Sequence, residues 1–442
     1  MTMSIAAAKA LCKAVLAQAS FGDVRVRVRA QQTGDLRFAA SQPTTGGDVE
    51  TVSIAVTAVR DGREATVTGN RTDEASLAAL VRQAEQAAAL APVDPEATGP
   101  LGPVKPPRVL ARDPKVARMD AAARADRVAE AIEAGVAKGL EVSGHLVHGE
   151  LVEAFADRRG LSFAHDATTL RMTCTCRTPD GTGSSKGGFA SHALAGLAPR
   201  ALAEQVADVA LRSREPKPID PGSYTVVLMP DAVAELLEFL VDAMGARAAL
   251  QGRSFFAAEG GGTKLGQPVF DPRVVLRSNP ADRKHPSSPV ADDGRPQPTL
   301  TWIDRGVPQA LHAGRGFAAS ASIPATPRPS SIFMDGGGQS VDALIAGVKR
   351  GVLVTRLWYN RMLDPRGIVA TGLTRDGTFW IEDGKLAHAV KNLRYNDGPV
   401  TVLSKLVALG TPVRAGLVTE RVWVVPPLVV DGFRFESSSD AV

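Results

Sequence analysis

Four carboxylates in the second half of the chain, Asp231, Glu235, Glu238 and Asp242, recur at steps of four, three and four. A helix returns to the same face about every 3.6 residues, so this spacing lines them up along one side. Val233, Leu236, Leu237, Leu240, Val241 and Met244 then make the apolar face. Such a stripe draws a cation or a basic partner, or it is a solvated helix face. The charge pattern by itself favours the solvated face.

Zinc hydrolysis needs about three protein ligands, an open position for water and a base. Two histidines on neighbouring turns of one helix, with a glutamate between them, meet most of that need. The seven histidines, at 145, 148, 165, 192, 285, 312 and 388, nowhere show this spacing. His145 and His148, with Glu150 nearby, lie in an alternating stretch. A step of three along a strand sends them to opposite faces, which argues against a shared metal. Cys174 and Cys176 share a face with Met172, so they read as small buried hydrophobes. The glycine runs at 181–186, 260–262 and 336–338 match no phosphate loop or dinucleotide fingerprint, and read as turns or hinges. No Gly-x-Ser-x-Gly elbow is present.

The elements that must position these residues follow from periodicity. Residues 4–19 and 120–139 read as Ala-rich helices, and 75–90 as a helix with Thr72-Asp-Glu before it as the cap. From Phe21 to Arg29 the chain alternates strictly, with Val24, Val26 and Val28 on one face. Arg25, Arg27 and Arg29 on the other face read as a solvated strand surface. Asp61-Gly62 joins a hairpin of 49–60 with 63–67. Strands fill 142–177, a glycine-rich loop spans 180–188, and a helix runs from Pro199 to Arg212. Beyond a proline-rich stretch, strand 224–229 leads into the carboxylate helix. A polar loop at 251–265, expected to be mobile, precedes many short strands and one helix near 340–350. Strand 351–362 carries Trp358 and Tyr359, and 377–385 reads as a hairpin with an Asp-Gly turn. The expected domains are 1–215, with a linker at about 91–118, and 223–435, followed by a flexible tail at 436–442. The expected class is α+β: a mixed N-terminal domain of helices and antiparallel strands, then a mainly antiparallel β domain with a few helices.

At 442 residues the chain can hold two or three domains. Its charge is 51 − 47 = +4, with 44% hydrophobic and 22% charged residues, as in ordinary soluble proteins. The basic excess forms no dense block with interleaved aromatics, so nucleic acid is not an expected partner. No apolar run is long enough for a membrane helix. Three cysteines make no disulfide framework, which points to a reducing compartment and a cytoplasmic protein.

Two further stretches carry a resemblance. Val226-Val-Leu-Met-Pro230 leads into the helix from Asp231 to Ala243, and Gly372-Leu-Thr-Arg-Asp-Gly-Thr-Phe-Trp-Ile-Glu-Asp-Gly-Lys385 lies downstream. Ser254, Leu265-Gly266, Val269, the run 286–294 and Ala389-Val-Lys391 keep the same order. Together these stretches resemble the TldD/PmbA family, peptide-processing metallopeptidases that come as two pairing paralogues. In the catalytic paralogue the helix carries His-Glu-x-x-x-His, and a further Cys ligand lies near the C-terminus. Here Glu238 stands at the first ligand position, Phe239 at the base position and Ala243 at the second ligand position, and the last cysteine is Cys176. Both departures resemble the PmbA (TldE)-like, metal-free side.

The resemblance implies a non-catalytic subunit of a heterodimeric zinc metalloprotease, with zinc in a TldD-like catalytic partner and none in this chain. The pair would enclose a chamber where unstructured peptide is cut. Asp231, Glu235, Glu238, Asp242, Trp358, Tyr359, Arg375 and Trp380 would then line the chamber or meet the partner. Strand 351–362 or hairpin 377–383 would offer an edge to an extended peptide. Two other readings stay open: a stand-alone hydrolase with a different site, and a regulatory binding protein in line with the family's older name as a modulator of DNA gyrase.

Overall fold

The computed structural model describes residues 3–439. The N-terminal half contains α1 (Ile5–Ala17), β1 (Asp23–Ala39), β2 (Gln42–Arg60), β3 (Arg63–Gly69), α2 (Glu74–Leu90), α3 (Pro114–Ala117) and α4 (Ala121–Val136). It continues with β4 (Glu141–Asp157), β5 (Ser162–Arg177), β6 (Ser184–Ser191) and α5 (Pro199–Arg212). The strands form one antiparallel sheet in the order β3-β2-β1-β4-β5-β6. The first hairpin turns as its sequence requires, with Asp61 at φ 52° and Gly62 at φ 72°.

Two-residue periodicity explains how this sheet is covered. Val24, Val26, Val28, Val152, Ala154 and Ala156 bury under α1 and α2. Phe38, Val142, Leu146, Met172, Cys174 and Cys176 bury under α4 and α5. All are even-numbered, so both helix pairs sit side by side on one face. The cysteines are therefore core residues. His148 is buried beside Arg124, while His145 is half-exposed beside Asp35 at 3.1 Å. The opposite face meets the C-terminal half, and here the solvated arginine stripe is corrected. Arg25 pairs with Glu64, and Arg27 binds Glu153 at 2.6 Å and Asp292 at 3.0 Å. Only Arg29 is exposed.

The C-terminal half contains β7 (Gly222–Leu228), α6 (Pro230–Ala243), α7 (Ala246–Leu250), β8 (Leu276–Ser278), β9 (Leu300–Asp304), β10 (Val307–Pro308), α8 (Arg315–Ala321) and β11 (Ser331–Met334). It continues with α9 (Val341–Ala346), β12 (Arg350–Asp364), β13 (Val369–Glu382), β14 (Lys385–Ala389), β15 (Leu393–Asp397) and α10 (Pro399–Ser404). The last strands are β16 (Leu406–Leu409), β17 (Val413–Arg414), β18 (Val422–Val425) and β19 (Leu428–Ser438). The pairings β12-β7-β19-β15-β13 close on themselves through β12–β13, with β14 and β16 outside the ring. A second sheet runs β10-β9-β8-β11-β18-β17. Antiparallel pairs dominate both, and the whole is α+β, as the sequence predicts.

Closure of that ring narrows the peptide-edge expectation to one end of β12. Val352–Val354 are flanked by β7 on one side and β13 on the other. The arm 379–382 of the hairpin is part of β13 and lies between β12 and β14. The stretch of β12 without a second strand neighbour is its far end, and there the Leu357 amide already donates to Glu235 at 2.6 Å.

Three boundaries also shift. Residues 184–188 belong to β6 instead of the loop expected at 180–188, and 436–438 extend β19 instead of starting a tail; 440–442 lie outside the described residues. The linker at 91–118 is partly clasped: the Gly102 amide donates to Asp157 at 2.8 Å, and α3 closes the segment. In the loop at 251–265, Phe256 is fully buried and Phe255 stacks on Phe270, so two of its side chains are anchored in the core.

Candidate functional site

α6 is the centre of the candidate site. Pro230 occupies its first turn, where the missing amide costs no hydrogen bond. Met229, just before it, donates to the Val354 carbonyl at 3.0 Å and ties the helix to the ring. Val233, Leu236, Leu237, Leu240, Val241 and Met244 are all buried, packed among residues of the ring and of the second sheet. α6 therefore lies between the two C-terminal sheets, and its polar stripe has little access to water.

The stripe is accordingly not a solvated face. Asp231 accepts the Leu417 amide at 2.8 Å, and burial pushes its carboxyl above the ordinary range. Glu235 is 14% exposed and accepts the Leu357 amide; burial raises it to about 8, against the opposing charge of Arg356. Glu238 receives Arg421 Nη2 at 2.9 Å, Arg421 Nε at 3.0 and 3.1 Å, and the Trp423 indole at 2.6 Å. Asp242, the most exposed, pairs with Arg328. Asp231, Glu235 and Glu238 have each found a partner inside the chain, because burial without one is too costly, while Asp242 pairs at the surface.

Around Glu235 the two halves of the molecule converge. Arg356 approaches Glu235 at 3.9 Å and Asp376 at 3.2 Å. Asp376 in turn accepts the Ser184 hydroxyl at 2.8 Å, from β6 of the N-terminal sheet. Lys186, on the same face of β6, is lowered by burial and by Arg356. Tyr395 donates to Asn360 at 2.8 Å, and burial raises its phenol. A carboxyl that stays protonated at neutral pH beside a weakened lysine is a proton-handling arrangement.

The aromatic candidates divide. Trp358 and Tyr359 are exposed, with ring centres 5.4 Å apart, Arg375 over Trp358 at 4.3 Å and Arg361 over Tyr359 at 4.6 Å. Tyr359 holds φ at 58°, next to a register shift in β12. Trp380 is buried, edge-on to Tyr224 at 5.8 Å, so it serves the core and is not available to a peptide or a partner.

A zinc ion does not suit the helix. Phe239 and Ala243 offer no donor atom, and both Glu238 oxygens are held by Arg421 and Trp423. Among the described residues no three His, Cys, Asp or Glu side chains gather in a metal-binding group. Sequence reasoning missed Lys186, Arg356, Asp376, Arg421 and Trp423. Each lies outside α6 in sequence; Asp376 and Lys186 stand in stretches singled out above, but nothing there points to Glu235 as a neighbour.

Residues 221–437 match the PmbA/TldA metallopeptidase C-terminal domain, and residues 24–88 match PmbA/TldA metallopeptidase domain 1. The chain belongs to the PmbA/TldD family. Its fold is that of TldE from Thermococcus kodakarensis, with a TM-score of 0.86 at 13% identity over 97% of this chain and 99% of that one. A protein described as a modulator of DNA gyrase from Thermotoga maritima aligns with a TM-score of 0.84 at 17% identity, covering 97% and 100% of the two chains. One so described from Bacteroides thetaiotaomicron gives 0.83 at 19% identity, over 97% and 98%. No curated protein matches the chain. Among the described residues no helix is long and apolar enough to cross a membrane.

Proposed function

We propose that this PmbA/TldD-family chain is a TldE-like subunit without zinc, which pairs with a TldD-like catalytic paralogue to process unstructured peptides in the cytoplasm. The observation that carries the reading is the pairing of Glu238 with Arg421 and Trp423. A guanidinium and an indole use the carboxylate at the first ligand position, and neither remaining position has a donor. Such a chain contributes walls and an edge, while the partner supplies the metal. The unflanked end of β12, with exposed Trp358 and Tyr359, is the part of the ring suited to hold an extended peptide or to meet the partner. The test is metal analysis of the purified chain, with peptidase assays alone and after mixing with a His-Glu-x-x-x-His paralogue. The expected result is no zinc and no activity alone, with activity on mixing. Stoichiometric zinc, or no gain on mixing, would overturn the reading.

A second reading rests on Glu235. Its elevation to about 8 beside Asp231, Arg356 and Lys186 suits general acid–base catalysis without a metal. That site predicts chelator-resistant hydrolysis by the lone chain, abolished in Glu235→Gln. Absence of any hydrolysis by the lone chain removes it.

A further inference from the structure

The seam between the two halves contains a second group of polar residues, away from α6. Its centre is Arg414, on the short strand β17. The Arg414 guanidinium makes no hydrogen bond or ion pair with any described residue, and its Nε is shut off from water without an acceptor. Three other basic side chains approach it from distant parts of the sequence: Arg171 on β5, His192 just beyond β6, and His285.

Backbone packing explains the convergence. β6 runs against the segment after β17 so closely that a Cβ on Gly416 would sit 1.9 Å from the Gly188 carbonyl oxygen. Arg171 faces Ala190 across the β5–β6 ladder, and its Nη2 donates to the Thr419 carbonyl at 3.2 Å. On the other side, the Ser287 hydroxyl meets Ser330 at 2.9 Å, and the Val422 amide donates to the Ser330 carbonyl. That contact brings the loop carrying His285 beside β18, and β18 pairs with β17 at Arg414↔Val424.

The charges do not balance at Arg414. Glu420 lies near Arg171, Asp113 near His192, and Asp282 and Lys284 near His285. Among the described residues no carboxylate offsets Arg414. Burial, with Arg171 adding to it, lowers Arg414 to about 10; burial, with Arg414 adding to it, lowers His285 to about 4. Burial lowers His192 as well, so both imidazoles are neutral at physiological pH and able to donate one N–H each. A guanidinium whose Nε is buried without an acceptor is costly unless something brings one. The planar fork of arginine matches the paired oxygens of a carboxylate or phosphate.

We propose that Arg414, with Arg171, His192 and His285, forms a binding site for a small oxyanion in the seam between the N- and C-terminal halves. The carboxylate or phosphate group would supply the missing acceptor and tie the halves together. This site is independent of the peptidase reading.

Isothermal titration calorimetry of the full chain tests it with three probes: sodium phosphate, acetylated tri-alanine with a free C-terminal carboxylate, and the same peptide as its C-terminal amide. Phosphate or the free-acid peptide should bind, and Arg414→Leu should weaken that binding about tenfold or more, the scale of a charge-assisted hydrogen bond. Arg414→Lys should fall between the two. Binding of the free acid but not the amide identifies a peptide terminus; binding of phosphate alone identifies a free inorganic anion. Thermal unfolding without probe should place Arg414→Leu at or above the parent, since it removes an unpaired buried charge. Should Arg414→Leu not fold, Arg171→Met and His285→Gln make the same comparison. The proposal is overturned if neither phosphate nor the free acid binds, or if the variants bind as the parent does.

Discussion

At the scale of single residues, α6 shows how a helix face near a metal-site position becomes an ion-pair network. Glu238 and Arg421 are coupled, and Arg421 is only 6% exposed. Glu238→Ala strands that guanidinium among buried neighbours. It should cost about 3 kcal/mol in urea unfolding, the usual penalty for breaking a buried pair from one side. Glu235 carries the pH dependence. Its folded value of about 8 stands above the ordinary 4.5, so the native state holds a proton that the unfolded chain has released between these values. Stability from this group is full below pH 4.5 and is lost as pH rises toward 8. The slope should be at most about 1.4 kcal/mol per pH unit. Unfolding free energies measured from pH 5 to 9 should show this decline, and Glu235→Gln should flatten it.

At the scale of elements, β12 and β13 shape the proposed working surface. The turn that joins β13 to β14 uses Asp383 and Gly384 at positive φ, 47° and 74°, and a Cβ on Gly384 would lie 2.8 Å from the Ala346 carbonyl. Gly384→Ala should therefore lower stability by about 1–2 kcal/mol, readable as a fall in melting temperature. The far end of β12 behaves differently, because Trp358 and Tyr359 project into solvent. Trp358→Ala should change stability by no more than about 0.5 kcal/mol. On the proposed function it should still reduce peptide turnover by the reconstituted pair, and unchanged turnover would remove that edge from the peptide path. The hairpin was legible from Asp-Gly and the apolar run before it. Its closure into a ring was not, because partner choice among strands depends on contacts between segments remote in sequence.

At the scale of the whole molecule, the junction between halves rests on backbone meeting backbone. Gly188 and Gly416 approach too closely for a methyl group on Gly416. Gly416→Ala should destabilise by about 1–3 kcal/mol, the cost of overpacking, and calorimetry should show the loss. Ser184 with Asp376, and Arg27 with Asp292, span the same junction. Part of the far side of the N-terminal sheet is therefore covered by the C-terminal half, and Arg25 and Arg27 of β1 are ion-paired there while Arg29 stays exposed. The sequence displays that stripe clearly but says nothing of what covers it.

The chain's own order of residues determined the class, the longer helices, the long strands, the cap before α2, the tight turns and the family resemblance. These are local properties: periodicity, φ preference and short-range hydrogen bonding act within a few residues. It also determined that Phe239 and Ala243 cannot ligate a metal. Tertiary structure alone decided where the carboxylates of α6 went. Asp231, Glu235 and Glu238 have the spacing of a solvated face, yet α6 lies between two sheets, and its partners Leu417, Arg356 and Arg421 come from more than a hundred residues away. Desolvation and pairing depend on what packs against a surface, and periodicity carries no record of that. The same reason hid the grouping of Arg414 with Arg171, His192 and His285, four residues that only the docking of the two halves brings together.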